Sequence, residues 1–181
     1  MTDNQIYAIL FPIISAGLAA RNVVVPANNI IQGYQPTQQG RPIGPTVYLN
    51  ALPATPLGHP RRDSIYDPDT QVMRDVEVQT YLVQYQANAL SQQTASDETQ
   101  LTAMGILKAV RQVLQSSNTI ALLKTDGLAI LRVNALRNPT FVNDEGRAQY
   151  APSFDFTLTY DEVYTADVPV VDTFEFNLNR V

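Results

Sequence analysis

The sequence predicts an α+β fold: a mostly antiparallel β-sheet with long hairpins and helices packed on one face. Three observations predict it. The order of periodic segments is α-β-β-α-(α)-β-β-β. Two segments carry an apolar stripe at helical spacing, Ile6, Ile9, Leu10, Ile13, Ile14, Leu18 and Leu101, Met104, Leu107, Val110, Val113, Leu114. Others alternate strictly, most cleanly Phe154, Phe156, Leu158 and Tyr160 against Asp155, Thr157, Thr159 and Asp161.

The first helix is expected over 3–20. Thr2 and Gln5 have capping-box spacing. Pro12 lacks an N–H and crowds the preceding turn, so a kink is expected there. Residues 21–45 read as an irregular arm, broken by Pro26, Gly33, Pro36, Gly40, Pro42, Gly44 and Pro45. Val23–Val25 is compatible with a short extended piece.

Residues 46–89 read as one long β-hairpin. Its first strand covers 46–58, its polar connection 59–70 and its second strand 72–89. Pro53, Pro56 and Pro60 restrict the first strand to an edge or a bulged path. A second helix is expected over 97–116, capped by Ser96 with Asp97 and Glu98 in its first turn. A helical turn at 119–124 ends at Gly127, a left-handed C-cap residue. Strands follow at 128–136, 153–165 and 168–178, the last two joined by a turn at Thr165–Asp167, and Asn143–Arg147 is a charged loop. The whole chain, 1–181, is read as a single domain.

Charge is scarce and uneven. Charged residues make up 16% of the chain, against about 25% in an average domain; 15 Gln and 12 Asn supply polarity instead. Residues 1–147 balance 11 basic against 11 acidic groups, while the remainder sets six acids against Arg180 alone. The C-terminal part therefore carries the whole net charge of −5. It is either a solvated strand face or an acidic surface that repels DNA or meets a basic neighbour.

Several chemistries are excluded. With no cysteine there is no disulfide, thiolate metal site or cysteine nucleophile. His59 is the one histidine; it lies between Gly58 and Pro60 beside Arg61 and Arg62, which oppose its protonated form, and no G-x-S-x-G frames a nucleophile. Asp63, Asp67 and Asp69 are close enough to hold a hard cation, but their spacing is not that of a calcium loop. They read as a polar turn. No G-x-x-x-x-G-K-[ST] is present. Arg61-Arg62 is the one adjacent basic pair, too little to grip DNA. No apolar run crosses a bilayer, and a soluble cytoplasmic product is expected.

Tyr48, Tyr66, Tyr81 and Tyr85 read either as rim residues of a protein contact or as ordinary half-exposed strand tyrosines. Phe154, Phe156, Phe174 and Phe176 are core or interface positions.

A succession of short segments resembles a known family. It begins with the N-terminal amphipathic helix and Asn28-Asn29-Ile30-Ile31-Gln32-Gly33-Tyr34-Gln35. Gly40-Arg41-Pro42-Ile43-Gly44-Pro45 leads into Val47-Tyr48-Leu49, and the hairpin's second strand opens Arg74-Asp75-Val76-Glu77-Val78-Gln79-Thr80-Tyr81. Further on come Ile106–Leu114, Leu136-Arg137-Asn138-Pro139 and Ser153-Phe154-Asp155-Phe156-Thr157-Leu158. Together they resemble the tail terminator, or neck terminator, proteins of tailed bacteriophages.

The resemblance implies a structural virion protein, assembled in the host cytoplasm. Such a protein forms a ring, a hexamer, that caps the tail tube, ends its polymerisation and offers the surface joining tail to head. Its implied partners are its own copies, the tail tube protein, a head-side connector or adaptor, and the sheath. Genomic DNA passes through the lumen without specific binding. No catalytic residue, cofactor, metal or membrane is implied. Arg61, Arg62, Tyr66, Tyr81, Asp155, Asp161, Glu162, Asp167 and Asp172 are the expected interface or lumen residues. The competing readings are another head–tail connector or tail-completion protein and, more remotely, a small metal-dependent hydrolase built on Asp63, Asp67 and Asp69.

Overall fold

A computed structural model describes residues 1–33, 44–91, 99–142 and 148–169. Helix α1 spans Asp3–Ala19. It opens with the predicted capping box: Thr2 Oγ1 accepts from the Gln5 amide at 3.3 Å, and Gln5 Oε1 accepts from the Thr2 amide at 2.8 Å. The helix runs through Pro12 as one element. Ile6, Leu10, Ile14 and Leu18, one every four residues, are its buried row.

After a 3₁₀ turn at Ala27–Asn29, strand β1 (Ile30–Gln32) pairs in parallel with β2 (Thr46–Asp67), matching Ile30 to Val47 and Gln32 to Leu49. The expected irregular arm thus contains a short strand seated on the chain's own sheet, and positions 34–43 of the arm lie outside the described residues. Strand β3 covers Val72–Leu90. The connection expected at 59–70 is shorter than predicted. β2 continues to Asp67, and only Pro68–Gln71 turns, with the Asp67 carboxylate accepting from the Asp69 amide at 3.0 Å and Gln71 at φ +55°. Polar residues form strand here because neither face of this part of the hairpin is buried, so alternation is not required of them.

Helix α2 is Ala103–Leu114, shorter than the expected 97–116. Thr102 rather than Ser96 is its cap, Oγ1 accepting from the Gly105 amide at 2.9 Å; Ser96, Asp97 and Glu98 lie outside the described residues. Helix α3, Ser117–Thr125, is capped by Ser116 and closes on Gly127 at φ +73°, as its C-cap role predicted. Strand β4 is Leu128–Val133; β5 (Thr140–Val142) and β6 (Ala148–Tyr150) form a separate antiparallel pair. Strand β7 runs from Ser153 to Pro169. The turn expected at Thr165–Asp167 is therefore wrong: the strand passes straight through. No Gly or Pro interrupts 153–168, and Arg74 of β3 holds Asp167 across the ladder at 3.2 Å. Positions 170–178 of the strand expected at 168–178 and the loop at 143–147 lie outside the described residues.

The main sheet has the order β1-β2-β3-β7-β4, mostly antiparallel, and the fold is α+β as predicted. By contacts the chain divides into two units. Unit 1, Met1–Thr55 with Tyr81–Tyr160, contains the hydrophobic core. Sheet residues Val47, Leu49, Val83, Tyr85, Ala87, Phe154, Phe156 and Leu158 are buried there with the rows of α1 and α2. Tyr85 stacks on Phe156 with ring centroids 5.5 Å apart. Gly17 lets α1 approach α2: a Cβ there would stand 2.4 Å from a Val113 methyl.

Unit 2 comprises Pro56–Thr80 and Asp161–Val181. Its described part is the distal hairpin of β2 and β3 with the end of β7, and none of its described residues is buried.

Candidate interface

The side-chain pairs fix which residues share a face of unit 2. Arg62 Nε donates to Glu77 at 3.2 Å and Ser64 Oγ to Asp75 at 2.6 Å, so even positions of β2 and odd positions of β3 share one face. Tyr164 and Ala166 line the same shallow hollow as these residues. On the opposite face Thr80 Oγ1 donates to Asp161 at 2.6 Å and Arg74 Nε to Asp167 at 3.2 Å.

Charge separates the units. In sequence, unit 2 holds four basic and ten acidic residues, a net of −6; unit 1 holds eight and seven, a net of +1. In sequence, five of the six acids noted at the C-terminus belong to unit 2, with five more from 56–80. A hydrogen bond from the Asp69 amide, with others from Thr70, holds the Asp67 carboxyl below the usual carboxylate range. Asp63 accepts from the Ser64 amide. These carboxylates serve local turns, and among the described residues no three metal-ligating side chains converge.

The expected interface residues divide between the units. Arg61, Arg62, Tyr66, Asp161, Glu162 and Asp167 are in unit 2, all exposed. Tyr81 and Asp155 are in unit 1. Tyr81 stacks on Tyr160 at 5.6 Å, half-buried. Asp155 accepts from Arg137 Nη2 at 2.6 Å and from Gln86 Nε2 at 3.3 Å, its side chain 13% exposed. Asp172 lies outside the described residues.

Sequence reasoning passed over the apolar side chains that unit 2 exposes: Leu57, Ile65, Val163, Tyr164 and Val168. Alternation alone reads such residues as a buried face; their number beside a strand with so many charges was the available signal.

The chain thus combines an α+β core with a β-extension none of whose described residues is buried. Residues 5–170 match the family described as E217 gateway protein gp29, and the chain belongs to that family. This agrees with the resemblance to phage tail terminators read from the sequence. No curated protein matches the chain. Among solved structures it is similar to a PVC sheath/tube terminator of an extracellular contractile injection system, in its extended state. Identity is 10% and the TM-score 0.44 over 96% of this chain; the chain spans 63% of the terminator's length. Among the described residues no helix is long and apolar enough to cross a membrane.

Proposed function

We propose that this chain is a structural, non-enzymatic protein of the phage neck. Copies of it form a ring, a hexamer, that caps the tail tube, ends its polymerisation and presents the head–tail joining surface, with DNA passing through the lumen. Its neighbours are the tail tube protein, a head-side connector or adaptor and the sheath, and its place is the virion. The observation that carries this reading is the match of residues 5–170 to a gateway family. The acidity of unit 2 supports it: like charges keep a duplex mobile in a passage. In this reading Arg61, Arg62, Tyr66, Tyr81, Asp155, Asp161, Glu162, Asp167 and Asp172 belong to the lumen wall or to contacts with neighbours.

The test is capping. Purified protein added to polymerised tail tubes is expected to decorate one tube end and halt elongation, and native mass spectrometry of the product to give six copies. Tubes that elongate unchanged, with the protein bound to the head-side complex alone, would identify a connector instead, the reading the word gateway also suits.

A further inference from the structure

We infer that neighbouring copies join edge to edge through unit 2, the end of β7 in one copy (residues 161–168) adding to the distal part of β2 (residues 61–67) in the next. The inference rests on the ring reading above and names the surface that would close such a ring.

Four observations lead there. First, the described part of unit 2 is three strands, β2-β3-β7, with no buried side chain on either face. A small sheet wet on both faces lacks the packed layer that stabilises ordinary sheets, so it acquires cover by association. Second, both outer strands lose their neighbours. β4 accompanies β7 only as far as the pair Leu128 with Tyr160, and β1 accompanies β2 only to Leu49. Among the described residues no strand lies beside 161–168 or 61–67 on the outer side. Such edges are templates for another strand.

Third, the large apolar side chains that unit 2 exposes are Leu57, Ile65 and Tyr66 on β2 and Val163, Tyr164 and Val168 on β7; central β3 contributes none. Ile65 and Val163 share one face, Tyr66, Tyr164 and Val168 the other. Joining the two edges brings apolar partners together on both faces, the pairing that stabilises sheets. Fourth, the edges differ in charge. Residues 161–168 carry Asp161, Glu162 and Asp167 and no base, a net of −3, whereas 61–67 sets Arg61 and Arg62 against Asp63 and Asp67, a net of zero, so the cation that this edge offers is Arg61. Arg61 makes no ion pair among the described residues.

The segment chosen on β2 follows from its prolines. Pro53, Pro56 and Pro60 lack amide donors and Gly58 stands at φ +67°, which guards the proximal edge. From Arg61 to Asp67 every residue has its N–H. The edges joined are different surfaces, so the contact is head-to-tail and generates a ring when the rotation closes. Both β2 and β7 run opposite to β3, so a rotation relating the copies makes the joint parallel.

The cysteine-free chain permits a direct test. Val163→Cys is combined in turn with Asp63→Cys, Ile65→Cys and Asp67→Cys, sampling three registers, and the variants are assembled on tail tubes and oxidised. At least one pair is expected to give a ladder of disulfide-linked multimers, while single-cysteine variants stop at dimers or below. In parallel, Ile65→Asp and Val163→Asp should weaken assembly more than tenfold with the circular dichroism spectrum unchanged. Rings without a ladder, undisturbed by either aspartate, overturn the surface and leave the ring standing. A single copy per finished tail removes the ring reading and this inference together.

Discussion

In unit 1, β7 reads Phe154, Phe156, Leu158, each fully buried, with Asp155, Thr157 and Thr159 half-buried between them. Along the same strand in unit 2 the same phase continues as Glu162, Tyr164, Ala166 and Val168, and none is buried. β3 shows the same change, from Val83, Tyr85 and Ala87, buried, to Asp75, Glu77 and Gln79, which are not. Backbone pairing is common to both stretches. What differs is a second layer: helices α1 and α2 contribute buried rows to the core of unit 1, and unit 2 has no described helix. A strand is thus a local fact, whereas a core is a property of two layers in contact.

The largest effect that sharpens this contrast is core truncation. Phe156→Ala in unit 1 is expected to cost about 3–5 kcal/mol through lost burial and a cavity. Tyr164→Ala, 71% exposed, should stay within about 0.5 kcal/mol in the isolated protein. Denaturant unfolding of both variants checks it, and equal costs would erase the distinction between the units.

Next comes Gly17→Ala. A methyl at that position meets Val113 at 2.4 Å, so α1 must move from α2. A cost of about 1–3 kcal/mol for the overpacked contact outweighs the gain of roughly 1 kcal/mol in helix propensity. A raised melting temperature for this variant would contradict the close approach.

Ion pairs give a smaller contrast. Arg137→Ala leaves Asp155, 13% exposed, short of its cationic partner, and about 1 kcal/mol is expected, reduced by the exposure of the arginine itself. Arg74→Ala breaks the exposed pair with Asp167 and should change stability by no more than about 0.5 kcal/mol. A double-mutant cycle on each pair measures the two couplings under the same salt.

The one change expected to run the other way is Tyr85→Phe. The Tyr85 hydroxyl is buried without a hydrogen-bond partner among the described residues. Its removal should be neutral or stabilise by up to about 1 kcal/mol. Burial, with a lesser contribution from Asp3, raises the pKa of this phenol above the ordinary value of 10.0. The folded state therefore keeps a proton that the unfolded chain releases. Stability is full below about pH 10 and falls as pH climbs through the raised value. Alkaline unfolding of the wild type against Tyr85→Phe reads this directly: the variant should lose less stability above pH 10.

Much of the fold was legible because its signals are local. Thr2 with Gln5, and Gly127 after a short helix, are capping chemistries decided within one turn of chain, and both are observed. The buried row of α1 and the buried face of β7 follow from spacing alone. Errors fell where two local signals competed. Thr102 outdid Ser96 as the visible cap of α2, and polar residues 61–67 proved as able to form strand as to form loop. The candidate interface was legible only in part. Charge and missing catalytic groups pointed to contacts, yet Ile65 was read within a polar connection and Val163 and Tyr164 were passed over, although all three are exposed.

The sequence by itself determined where α1 begins and where α3 ends, the apolar face of β7 in unit 1, the chemistry the chain lacks and the place of its net charge, because each depends on residue type and spacing. Only the tertiary structure decided that β7 carries buried side chains up to Tyr160 and exposed ones from Asp161 onward. It also decided that a three-residue strand in the arm lies parallel to β2. The physical reason is that burial depends on what a second layer covers, and a strand's own pattern does not record how far that layer extends.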